Sequence, residues 1–138
     1  MNEYDIFKLF NSNTELKNYL DEVRGITATP NDIYTGTPDE NFILDKNAPW
    51  IRITSIPGDD ADYADDQRYI EYPKFQIDFW IQKYKTKQLI KIEQIIYNLM
   101  SSNGLERYYK KHEDDVDMTN LKMVTGNFQY QGFSSNED

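Results

Sequence analysis

The chain has 138 residues, 38% hydrophobic and 28% charged, and a net charge of −9. That length and balance predict one domain with its own core rather than a disordered chain. The absence of cysteine excludes disulfides, thiolate metal sites and a cysteine nucleophile. An acidic chain without a basic block also argues against sequence-independent nucleic-acid binding, which rests on Lys and Arg neutralising phosphates.

No apolar run approaches the roughly 20 residues that span a bilayer, so no membrane role is expected. The N-terminus, MNEYDIFKLF, begins acidic and lacks the basic start of a secretory signal, which predicts residence in the cytoplasm where the chain is made. Ile6, Phe7 and Phe10 at helical spacing predict a first helix over 3–10. Ser12 followed by Glu15 fits a capping box for a second helix over 13–24, with Leu16, Leu20 and Val23 as its stripe and Gly25 as its stop. The two are expected to form one bent element. Ile33-Tyr34-Thr35 predicts a short edge strand.

Trp50 to Ile56 alternates, which predicts a strand closed by Pro57-Gly58. Residues 58–72 then read as a long acidic connection, already extended by Tyr69. The next strand, 74–83, contains FQIDFWIQ. Its odd positions, Phe75, Ile77, Phe79 and Ile81, predict a core face; its even positions, Gln76, Asp78, Trp80 and Gln82, predict a wet one. A helix is predicted over 87–102, capped by Thr86 and ended by Gly104, with Leu89, Ile92, Ile96 and Leu99 as its stripe. A strand over 106–111, an acidic turn over 113–120 and a strand over 121–130 complete the order. Residues 131–138 read as a disordered tail. Strands in adjacent pairs predict an α+β fold: a mainly antiparallel sheet of about four strands with helices packed on one face, in a single domain over 1–138.

Chemistry-bearing residues are sparse. Asp59, Asp60, Asp62, Asp65 and Asp66 are five aspartates in eight positions, which invites a hard-cation reading. The EF-hand pattern fails, however: Gly58 precedes the cluster and no closing glutamate is correctly spaced. A solvated acidic loop with no metal is the expectation. His112 is the only histidine, with neither a positioned partner nor a nucleophile indicated, so no catalysis and no cofactor are expected. Lys83, Lys85, Lys87 and Lys91 around Tyr84 read as a solvated helix start rather than a nucleic-acid patch. Trp80 is the anomaly on its face. It is either covered by its own chain, under the acidic loop, or it is an interface anchor with Asp78 and Gln76 as its polar rim. The expectation taken forward is the anchor, covered by a neighbouring subunit or partner.

The stretches PWIRITSIPGDDADYADDQ and FQIDFWIQK together resemble small tail proteins of long-tailed bacteriophages of Gram-positive hosts. In those, a strand of the form W-I-R-I-T-x-I-P-G-D is followed by an acidic loop and a V-Q-I-D-F-W-I strand. The family is close to the tail terminator, or tail-to-head joining (tail completion), proteins. The order of elements matches over about 30–130, and the distinctive words lie in 49–82. The resemblance implies an α+β subunit of a ring, typically a hexamer, that ends the tail tube and docks on the head connector. DNA would pass through its channel without specific binding.

That implies a non-enzymatic phage or prophage structural protein located in the virion tail, and in the host cytoplasm during assembly. Its partners would be further copies of itself, the tail tube protein and the connector. A ring needs two different patches. Trp80 with Asp78 and Gln76 is the expected first, and Asp59, Asp60, Asp62, Tyr63, Asp65 and Asp66 on the reaching loop are the expected second. Two other readings are an acidic monomeric or dimeric adaptor that occupies a basic protein, and a metal-assisted hydrolase using the aspartates.

Overall fold

Alternation in two neighbouring stretches builds the centre of the molecule. The computed structural model describes residues 1–25, 32–36, 47–64 and 67–131, with backbone alone at 58–64 and 67–71. Its elements are α1 (Glu3–Asn11), α2 (Thr14–Arg24), β1 (Ile33–Thr35), β2 (Trp50–Ala64), β3 (Gln67–Gln82), α3 (Thr86–Ser101), β4 (Leu105–Asp114) and β5 (Leu121–Tyr130). The five strands form one sheet in the order β1-β2-β3-β5-β4. β1 runs parallel to β2 and every other pair is antiparallel. The α+β expectation holds, with β1 as the fifth strand. Residues 132–138 of the expected tail lie outside the described residues.

The period of two sorts the sheet into its faces. Ile51 and Ile53 of β2, Phe75, Ile77, Phe79 and Ile81 of β3, and Val124 and Phe128 of β5 share one buried cluster with all three helices. Each such side chain removed from water contributes about 1.5–3 kcal/mol. The helices supply their apolar stripes: Ile6 and Phe10 from α1, Leu16 and Leu20 from α2, Leu89, Ile92 and Ile96 from α3. The opposite face carries no helix among the described residues.

Helix ends follow local chemistry more closely than the expected caps did. Asn2 and Asp5 form a capping box at α1, their side chains each accepting the other's backbone N–H at 3.0 and 2.8 Å. Asn13, not Ser12, caps α2, its Oδ1 accepting from Leu16 N at 2.9 Å. Ser12 instead ends α1, so the helices are two elements rather than one bent one. Gly25 closes α2 at φ 84, the left-handed conformation that favours glycine. Thr86 is the first residue of α3, which has no side-chain cap.

The largest departure from the sequence reading is at 57–72. Sequence reads those residues as a connection between two strands, but β2 runs on to Ala64 and β3 already begins at Gln67. Pairing continues from Asp60↔Tyr72 to Ala64↔Gln67. Pro57 and Pro73 lack the N–H a regular ladder needs, and the chain accommodates them with a register shift between Ile56 and Asp60. β5 pairs with β3 only from Lys74 onwards. Beyond that point the hairpin is a two-stranded arm, paired among the described residues only with itself. At about 3.3 Å per residue it extends roughly 20–25 Å past the sheet.

Candidate functional site

Two surfaces stand out among the described residues: the face of the sheet away from the helices, and the arm. The face has an aromatic end. Antiparallel register sets Trp50 directly opposite Trp80, and their rings stack with centroids 5.8 Å apart and 21° between planes. Ala48 and Leu121 complete this second buried cluster, with Tyr34, Met118 and Met123 packed against it. Trp80 is 6% exposed. The expectation that a neighbouring subunit covers it is therefore corrected: its own chain does.

The cover is the turn after β4, over 115–120. Asp115 accepts from the Asp117 and Met118 backbone N–H groups at 2.9 and 2.8 Å, an Asx-type turn that curls the chain back. The same carboxylate accepts from the Trp80 indole N–H at 2.8 Å. Burial pushes the Asp115 carboxyl up, but the Met118 N–H, the Trp80 indole and the Asp117 N–H together hold it below its ordinary value. A shallow, open hollow remains between Trp50, Arg52, Trp80, Asp115, Asp117, Met118 and Met123.

Next to it lies a polar stripe. Asp78 is fully buried rather than part of a wet rim. Its Oδ2 accepts from Arg52 Nη2 at 2.8 Å, and its Oδ1 accepts from Thr125 Oγ1 at 2.7 Å. Gln76, half-buried, donates its Nε2 to the same carboxylate at 3.1 Å. A buried carboxylate is tolerated because these donors replace its water shell. The Arg52 guanidinium also lies 4.9 Å from the Trp80 ring centroid, in cation–π range. The sequence placed Trp80, Asp78 and Gln76 on one face correctly. It missed Arg52, Trp50 and Asp115, although the alternation of 50–56 and the Asp115-Val116-Asp117 turn signal were there to read.

Four of the six remaining expected interface residues lie in the arm. Asp59, Asp60, Asp62 and Tyr63 are strand residues of β2, with no side-chain description, and Asp65 and Asp66 lie outside the described residues. The arm thus stands apart from the aromatic hollow, and the structure does not bring the two expected patches together within one chain.

His112 sits on β4 with Nε2 2.8 Å from Glu93 Oε2, a tie between strand and α3. Three of the lysines near Tyr84 have local partners, Lys83 lying 3.5 Å from Asp114 Oδ2. Lys85 donates to the Val23 carbonyl at 2.8 Å, and Lys91 lies 4.5 Å from the Tyr19 ring centroid. A separate buried pair anchors α2: the Arg24 Nη2 donates to Asp32 Oδ2 at 3.0 Å, with both side chains fully buried.

Fold and surfaces together define a small α+β domain: a mixed five-stranded sheet, helices on one face and a two-stranded arm. No protein-family model and no curated protein sequence matches the chain. Among solved structures it is similar to a chain from the "Virion of native gene transfer agent (GTA) particle". The TM-score is 0.64 at 9% identity, over 90% of this chain and 88% of that one. At that identity the likeness is one of fold.

Proposed function

We propose that this chain is a non-enzymatic structural protein of a phage or prophage tail, a ring subunit that terminates the tail tube and joins it to the head connector. The observation that carries the reading is the fold it shares, nearly end to end, with a chain of a phage-like virion. The tail-protein words in 49–82 support it independently, because they fall on β2 and β3, the two strands that carry the arm. A projecting arm on a compact body suits a subunit that must grip its neighbours.

In this reading the ring is hexameric, and its other partners are the tail tube protein and the connector. DNA threads the channel without being held, since a chain of net charge −9 repels phosphate. No residue carries chemistry and no cofactor is needed. Native mass measurement of the purified protein, followed by imaging, tests the reading. The expected result is a discrete multiple of the 16.4 kDa chain, six-fold, with a central hole. A monomer at every concentration would overturn it. A soluble stoichiometric complex with a basic protein, and no self-assembly, would favour an adaptor.

A further inference from the structure

We infer that the β2–β3 arm of one copy adds as an extra strand to the open β4 edge of the next copy. This rests on the ring reading and specifies its contact. Three observations converge. First, β4 is the last strand of the sheet, and among the described residues nothing pairs with its outer side over the ten residues Leu105–Asp114. That leaves a row of backbone N–H and C=O groups able to receive a strand.

Second, among the described residues the arm's strands pair only with each other. A two-stranded ribbon is at best marginally stable alone in water, and packing against a third strand is what ordinarily secures it.

Third, the arm is acidic and the middle of β4 is basic. Residues 57–72 hold six carboxylates against one arginine, a net −5. The centre of β4, Arg107-Tyr108-Tyr109-Lys110-Lys111-His112, holds three cations and no carboxylate, and Glu106, Glu113 and Asp114 lie at the strand's ends. Tyr108, Tyr109, Lys110 and Lys111 are exposed. Lysines on an edge strand ordinarily discourage pairing. Here they discourage pairing of β4 with another β4, and the aspartates discourage arm with arm. Only the unlike pair, arm with β4, is left favourable. Unlike surfaces pair head to tail, and a head-to-tail contact builds a ring when its rotation closes, not a two-fold dimer.

Two reversed variants test this. One carries Lys110→Glu with Lys111→Glu; the other carries Asp59→Lys, Asp60→Lys and Asp62→Lys. Circular dichroism and urea unfolding establish that each is folded, and Lys110→Gln with Lys111→Gln serves if the glutamates are not tolerated. Sedimentation then compares each variant, their equal mixture and the wild type. Each variant alone should need at least ten-fold more protein to assemble, and the mixture should assemble like the wild type. Undiminished assembly of both variants would overturn the arm contact while leaving the ring reading in place. Variants that stay apart when mixed would overturn it too. A wild type that never assembles would overturn both.

Discussion

The indole N–H of Trp80 donates to Asp115 Oδ2 at 2.8 Å, joining β3 to the turn between β4 and β5 across 35 positions of sequence. The bond makes the turn a lid on the aromatic cluster. It also explains how so large a side chain sits on the face away from the helices without exposure.

Trp80→Ala should therefore destabilise the subunit itself, by about 3–5 kcal/mol, in the same range as Phe79→Ala on the other face. Trp80→Phe keeps a ring on Trp50 but loses the bond to Asp115, at a cost of about 1–2 kcal/mol before any cavity. Urea unfolding of the three variants measures this. A wild-type midpoint for Trp80→Ala would contradict the burial.

Acid should loosen the lid. The folded Asp115 carboxyl titrates below its ordinary value of 3.8. A depressed carboxylate contributes stability that is complete above the unfolded value and lost as pH falls through the folded one. The stability gap between wild type and Asp115→Asn should thus be widest near neutrality and shrink below about pH 4. Unfolding curves at pH 7 and pH 3 read it directly. A gap unchanged between them would show that the charge of Asp115 is not what holds the turn.

Arg52 has two jobs, pairing with buried Asp78 and lying on Trp80. Arg52→Met should cost about 3 kcal/mol or more, because it strands a buried carboxylate. Arg52→Met with Asp78→Asn should recover much of the loss, since a neutral amide no longer demands a counter-charge. Equal loss in single and double variants would mean that packing, not charge, dominates.

Arg24 and Asp32 form the corresponding pair at α2. Arg24→Met should cost about 3–5 kcal/mol, leaving Asp32 with Lys17 as its cationic neighbour. Thermal or urea unfolding of the variant checks this, and a loss below about 1 kcal/mol would show the pair to be dispensable.

On the proposed assembly, the arm should gain amide protection when copies associate. Hydrogen exchange compared between dilute and assembled protein should show slowing over 57–72 and along Leu105–Asp114. Slowing confined to other elements would place the contact elsewhere.

Much of the fold was legible because it depends on near neighbours. Phe75, Ile77, Phe79 and Ile81 declare their face through a period of two, and Leu89, Ile92 and Ile96 declare theirs through a period of 3.6. Gly25 marks the end of α2 for a purely local reason, its positive φ. The continuation of β2 and β3 past Pro57 was not legible. Two prolines argue against a ladder, and only a register shift that sets Asp60 opposite Tyr72 makes room for them.

The sequence by itself determined the α+β class, the buried face of the sheet and the shared face of Gln76, Asp78 and Trp80. What covers that face was decided by tertiary structure alone. Periodicity states which way a side chain points, not what comes to meet it. Trp50 reaches Trp80 through strand register, Arg52 reaches Asp78 through the same register, and Asp115 reaches Trp80 through a turn 35 residues away. Each contact follows from where the chain returns in space. Burial therefore turned an expected polar rim into a buried ion pair, and an expected anchor into core.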